Sequence, residues 1–213
     1  MLKVCEIFLS IQGESSFAGL PCIFVRLSGC NLHCDWCDSR YHQEIQSEMS
    51  ISEIIEAISE YKPVDLVEIT GGEPLLQEDT PALLDTLERT GYRVLLETNG
   101  TLPISEIPPH VINIMDVKCP SSGHKDTFLR ENIIYLDPGK DELKFVIADR
   151  VDYEFAQEFI MYNNLWGYKI LFSTVFNRLQ PKELVKWVIE DRLAVRIQLQ
   201  LHKYIWEPEK RGV

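Results

Sequence analysis

Apolar residues recur along this chain with two different periods. "CIFVRLSG" (22–29) is a short, β-rich apolar run that ends in Gly and predicts a buried strand. "SISEIIEAISEY" (50–61) carries apolar residues at 51, 54, 55 and 58 behind Ser50, with Glu53 three positions on; that is a capped amphipathic helix. The alternation then continues. "DLVEITGGEP" predicts a second strand and a Gly-Gly turn, "TPALLDTLERTG" a helix with Pro at its start and Gly91 at its end, and "YRVLLETNG" a third strand. "VINIMDVK" and "ELKFVIAD" are the fourth and fifth strands, and "YKILFSTV" the sixth. Two further helices, "VDYEFAQEFIMY" and "PKELVKWVIEDR", flank that sixth strand, and "AVRIQLQLHKYIW" (194–206) follows as a last strand. Residues 120–142 have weak periodicity and predict an irregular excursion.

Strands alternating with helices argue for parallel βα units, whose sites gather where strand C-termini open into loops. About six such units are too few for a closed eightfold barrel. The expected architecture is α/β, an open partial (β/α) barrel of about six parallel strands, built as a single domain over residues 1–213.

Charge narrows the choice of partner. Lys and Arg total 21 against 33 Asp and Glu, a formal charge of −12 that repels a phosphate backbone, so nucleic acid is not an expected partner. The first residues lack a secretory pattern, and no run is apolar over the ~18 residues a membrane span needs. A soluble cytoplasmic protein is expected.

In that compartment the six cysteines stay reduced. Cys30, Cys34 and Cys37 sit together in "SGCNLHCDWCDS" (28–39), and clustered thiolates select zinc or iron–sulfur over hard ions. Structural zinc wants a fourth ligand, which His33 or His42 could supply on paper. Three incidental core thiols are the bland alternative, although the loop is polar. A 4Fe-4S cluster held by three cysteines leaves one iron open for chemistry. Cys5, Cys22 and Cys119 read as small core residues. "TGGEP" (70–74) lets backbone approach a ligand closely, and "ETNG" (97–100) lines a site or is an ordinary turn.

The C-x3-C-x2-C spacing, with Trp36 before the last cysteine, resembles the signature of radical S-adenosylmethionine enzymes. The resemblance implies that a 4Fe-4S cluster on Cys30, Cys34 and Cys37 passes an electron to S-adenosylmethionine, and that the resulting radical takes a substrate hydrogen. It places that cofactor against Trp36 and Asp38, against Gly72 and Glu73 of "TGGEP", and against Asn99. It adds Asp116, Val117 and Lys118 of "DVK", and Ser173 and Thr174 of "STV". An external electron donor of flavodoxin or ferredoxin type is implied.

Within that superfamily, "EIFLSIQGESSFAGLPCIFVRLSGCNLHCDWCDS", "TGGEPLLQ", "LLETNGTLP" and "QLQLHKYIWEP" are similar to the 7-carboxy-7-deazaguanine synthase family over nearly the whole chain. The resemblance implies ring contraction of a small-molecule pterin, 6-carboxy-5,6,7,8-tetrahydropterin, with Mg2+ and loss of ammonia, in what is often a homodimer. It puts Gln12, Gly13, Glu14, Thr70, His202 and Pro208 at the pterin. Arg26 is an interior charge that must be paired, by the substrate carboxylate or by an internal acid. Ser39 stands where the family usually has Thr and is the expected Mg2+ ligand; the chain also continues as "EKRGV" past Pro208, where some members end. A glycyl-radical activating enzyme and a non-catalytic Fe-S or zinc module remain alternatives.

Overall fold

The computed structural model describes residues 1–213. Its strands are β1 (Leu2–Ile11), β2 (Pro21–Leu27), β3 (Ser47–Met49), β4 (Leu66–Gly71), β5 (Arg93–Thr98), β6 (Ile112–Asp116), β7 (Glu142–Ile147), β8 (Lys169–Thr174) and β9 (Arg196–Ile197). The helices are α1 (Ile51–Ser59), α2 (Thr80–Arg89), α3 (Arg150–Tyr162), α4 (Pro181–Glu190) and the one-turn α5 (His202–Ile205). All strands join one open sheet in the order β3-β1-β2-β4-β5-β6-β7-β8-β9. From β2 through β4, β5, β6, β7 and β8 the pairing is parallel, which gives the six expected strands of the partial barrel.

Alternation along each parallel strand decides what faces the helices. Ile23, Val25 and Leu27 of β2, Val67 and Ile69 of β4, and Val94 and Leu96 of β5 are buried against Ile54 and Ile58 of α1 and Leu83, Leu84 and Leu87 of α2. Farther along, Met115, Leu143, Phe145, Ile147 and Phe172 do the same against Tyr153, Ala156 and Ile160 of α3 and Leu184 and Val188 of α4. Each such side chain contributes roughly 1.5–3 kcal/mol by leaving water. The capping box that the sequence predicts for α1 is present: Ser50 N donates to Glu53 Oε2 at 2.7 Å, and Glu53 N donates to Ser50 Oγ at 3.3 Å.

The intervening residues face the barrel interior and change character along the strands. Cys22, Phe24, Leu66, Leu95 and Ile114 close its base with apolar surface. One or two steps toward the strand C-termini come Arg26, Glu68, Thr70, Glu97, Asp116 and Lys144, all lining one cavity. The sheet is therefore dry at one end and chemically loaded at the other.

Two local expectations change. The sheet extends past its parallel part through β1 and β3, which pair antiparallel; a bulge between Val4 and Glu6 breaks the period of β1 and hides it from an alternation reading. "AVRIQLQLHKYIW" is not a strand through its length. Only Arg196 and Ile197 pair with β8, after which Leu201 N donates to Gly13 O at 3.0 Å and the chain turns into α5, so His202 stands on a helical turn. Residues 120–142 are irregular as expected, with 3-10 turns at Pro120–Ser122 and Arg130–Tyr135. No helix is long and apolar enough to cross a membrane.

Candidate active site

The loop after β2 carries the three cysteines and is fixed from both sides. Gly29, at φ 92°, lets the chain leave the strand sharply; its N–H donates to His42 O at 2.9 Å and its carbonyl accepts from Glu73 N at 2.9 Å. Gly72 is needed beside it, because a Cβ there would meet the Gly29 carbonyl and lie 2.6 Å from Cys30 Cβ. The 120–142 excursion supports the far side: Trp36 Nε1 donates to Ser121 Oγ at 3.0 Å and Asp35 N to Ser122 O at 3.3 Å.

Cys30, Cys34 and Cys37 are half-buried and line a cavity of about 1000 Å³. Burial raises all three thiols, Cys34 to about 11, while the Lys118 ammonium opposes the rise. No three His, Cys, Asp or Glu side chains converge on a point as a single-ion site requires. Three half-buried thiols on one loop at the wall of one cavity are a donor set that fits an iron–sulfur cluster. His42 is buried with its Nδ1 unpartnered, and His33 offers its backbone N–H to His124 Nε2 at 3.1 Å.

Several cofactor-side residues of the sequence reading meet at this cavity: Trp36, Asp38, Gly72, Asn99, Asp116 and Lys118 line it. Asn99 Nδ2 donates to Asn31 Oδ1 at 3.0 Å and lies 4.0 Å from Cys30 Sγ. Asp116 Oδ2 accepts from Lys118 Nζ at 2.9 Å, and that ammonium sits 5.4 Å from the Trp36 ring. Asp38 pairs with Lys203 of α5 at 2.7 Å, which ties the cysteine loop to the C-terminal turn and, against burial, holds the Asp38 carboxyl well below its usual range.

Four residues of that reading lie elsewhere. Val117 falls on the helix-facing side of its strand and is buried in the core. Ser173 and Thr174 are buried at the end of β8 outside the cavity lining. Glu73 turns away to bind the neighbouring loop: it accepts from Leu75 N at 3.0 Å, Thr98 Oγ1 at 2.9 Å and Asn99 N at 2.7 Å. Its N–H is already spent on Gly29, so Glu73 organises the two Gly-containing turns and does not line the cavity.

The expected substrate residues Gln12, Gly13, Glu14, Arg26, Thr70, His202 and Pro208 line the same cavity, and Ser39 does too, its hydroxyl donating to Asp38 Oδ1 at 3.1 Å. Gly13 admits α5, since a Cβ there would collide with the His202 ring. His202 is lowered by burial, against Glu14 and Asp38, which favours the neutral imidazole near pH 7. Arg26 already has an internal acid: its Nε donates to Glu6 Oε1 at 2.7 Å, Tyr41 Oη donates to the same oxygen at 3.0 Å, and the Tyr41 ring lies 5.6 Å from the guanidinium. One edge of the guanidinium is thereby fixed. The structure also adds a residue outside the sequence reading, Lys144, only 4% exposed. Its ammonium donates to Glu14 Oε2 at 2.9 Å and to Glu97, with Asp116 at 3.7 Å.

Comparison with known proteins gives the same neighbourhood. A family model described as the Radical SAM superfamily matches residues 24–115. A 7-carboxy-7-deazaguanine synthase from Koribacter versatilis is 46% identical over all of this chain and all of its own. One from Chlorobaculum tepidum is 46% identical over all of this chain and 97% of its own. The crystal structure of QueE from Escherichia coli superposes with a TM-score of 0.78 at 24% identity, covering 94% of each chain, which is the same partial-barrel fold.

Proposed function

The chain belongs to the 7-carboxy-7-deazaguanine synthase family of radical S-adenosylmethionine enzymes, and we propose on that ground that it contracts 6-carboxy-5,6,7,8-tetrahydropterin to 7-carboxy-7-deazaguanine with loss of ammonia. The observation that carries the reading is that the three cluster thiols and the polar set Glu14, Arg26, Thr70 and His202 open into one cavity. Cys30, Cys34 and Cys37 would hold a 4Fe-4S cluster, Gly72, Asn99, Trp36, Asp38, Asp116 and Lys118 would surround S-adenosylmethionine, and together these groups supply, when bound, a means of taking hydrogen from carbon. Everything else is placement. Arg26, with one edge held by Glu6, offers the other to a carboxylate; neutral His202 and Pro208 close the pocket from the C-terminal turn.

Arg26→Ala should raise the dissociation constant for the carboxylated pterin roughly tenfold to a hundredfold, the worth of about 1.5–3 kcal/mol for a charge-assisted pair, with a smaller effect on S-adenosylmethionine. Equilibrium binding of both ligands checks this, and equal losses would mean that Arg26 serves only to pair Glu6. The family resemblance carries Mg2+ to Ser39, whose hydroxyl lines the cavity and is an oxygen that an ion keeping most of its waters can take. Ser39→Ala should retain cluster assembly while losing Mg2+-dependent product, and an unchanged Mg2+ titration would remove Ser39 from the site. The continuous sheet favours one catalytic unit over residues 1–213, expected in the cytoplasm as a homodimer served by a flavodoxin- or ferredoxin-type reductant. Product mass after anaerobic incubation with cofactor, reductant and pterin tests the reading; cofactor cleavage with untouched pterin would overturn it.

A further inference from the structure

The cavity floor holds four carboxyl groups, and three of them have their outward oxygens committed. Glu14 Oε1 accepts from Gln200 Nε2 at 2.9 Å, while its Oε2 takes Lys144 at 2.9 Å and Gln198 Nε2 at 3.4 Å. Glu97 accepts from Lys144 on one oxygen and from Thr70 Oγ1, at 3.2 Å, on the other. Asp116 binds Lys118 through Oδ2, and its Oδ1 is sealed from solvent.

Glu68 is different. It is 3% exposed, it has no ion pair with any Lys or Arg, and its only side-chain hydrogen bond comes from Gln12 Nε2 to Oε2. Oε1 accepts nothing and, unlike Asp116 Oδ1, is not closed off, while the residue lines the cavity. Burial first, then the nearby Glu97 and Glu14, push this carboxyl well above its ordinary range. An acid buried without a partner is costly unless a ligand brings the missing donor. Gln12 does not take that part: its Nε2 reaches Oε2 and not Oε1, while its Oε1 accepts from Glu14 N at 2.9 Å.

Position selects the kind of ligand edge. Arg26 pairs in register with Thr70, and Glu68 pairs with Phe24, one inward-facing step deeper, roughly 6–7 Å farther from the cysteine loop. A carboxylate substituent held at Arg26 would direct the far edge of a fused bicyclic ring to the level of Glu68. We propose that Glu68 Oε1 accepts from the edge of the substrate that bears a ring N–H and an exocyclic amino group, and so selects for a 2-amino ring; this deepens, and rests on, the pterin reading above. Gln12 is then a positioning residue that orients Glu68.

The test compares 6-carboxy-5,6,7,8-tetrahydropterin with its 2-deamino analogue on the cluster-loaded enzyme in the presence of S-adenosylmethionine. The wild type should bind the analogue at least about tenfold more weakly, as expected when the loss of one hydrogen bond leaves a buried acceptor unpaired. Glu68→Leu, which fills the volume without an acceptor, should weaken the parent pterin and bring the two ligands within about threefold of each other; Glu68→Gln should fall between. Equal affinity of the wild type for both ligands would overturn the proposal without any variant being made, and so would a Glu68→Leu enzyme that discriminates as well as the wild type. A wild-type enzyme that binds and converts the pterin while showing either result leaves the functional reading standing, whereas one that cleaves cofactor and ignores both ligands defeats both.

Discussion

Cys34→Ala should abolish 5′-deoxyadenosine formation and reduce reconstituted iron to background, whereas Cys5→Ala and Cys119→Ala should keep both. The two groups of thiols differ in where they stand. Cys30, Cys34 and Cys37 lie on one loop and line the main cavity, while Cys5, Cys22 and Cys119 are buried away from it. Cys119 is fully buried in the helix-side core, so its truncation should act through packing, by about 1 kcal/mol. Three thiolates are the minimum that holds a cubane with one iron open, and removal of one leaves too few ligands to retain it. Iron and sulfide content measured beside cofactor cleavage decides the matter. An active Cys34→Ala enzyme would rule out this ligand set, and one zinc per chain in the wild type would favour the metal-binding-module alternative.

The thiols were legible because three of them fall within eight positions, a local signal that needs no fold. The six parallel strands were legible because each is a clean apolar run between turn residues. What escaped was non-local. Val117 looked like its neighbours in "DVK", yet alternation sends Asp116 inward and Val117 to the helices. Glu73 looked like a ligand-facing acid beside two glycines, and only the fold shows Thr98 and Asn99 consuming its oxygens. Arg26 carried both of its possible partners in the sequence reading, and the structure supplies Glu6 from a strand hidden by a bulge. The rule that exposed Arg26, a charge inside an apolar strand, applies equally to Lys144 in "ELKFVIAD" and Glu68 in "DLVEIT"; applied there, it would have found the centre of the polar floor.

Lys144→Met should be the most destabilising single change at the site, and its signature should be an inverted pH dependence. The ammonium is 4% exposed and faces Glu14, Glu97 and Asp116 at once. Breaking a buried ion cluster by removing one partner costs about 3–5 kcal/mol, because the remaining charges keep their desolvation without compensation. For a chain of this size that is a fall of roughly 6–20 °C in melting temperature near pH 7. The sign follows from Glu14. In the wild type Lys144 and His202, against burial, hold its folded-state value below the ordinary 4.5, so its contribution to stability is present above that pH and is lost as pH falls through it. Without Lys144 the burial contribution prevails, the folded-state value rises, and stability is instead lost as pH climbs above about 4.5. Glu68, raised in the wild type already, carries a component of that second sign in both proteins, and the loss of Lys144, which opposes that rise, enlarges it in the variant. The raised value of Lys144 itself matters only above its ordinary 10.5. Thermal unfolding of both proteins from pH 7 to pH 5 should therefore show the variant recovering stability relative to the wild type as pH falls. Parallel curves would mean that the carboxylates are neutralised by something other than this lysine.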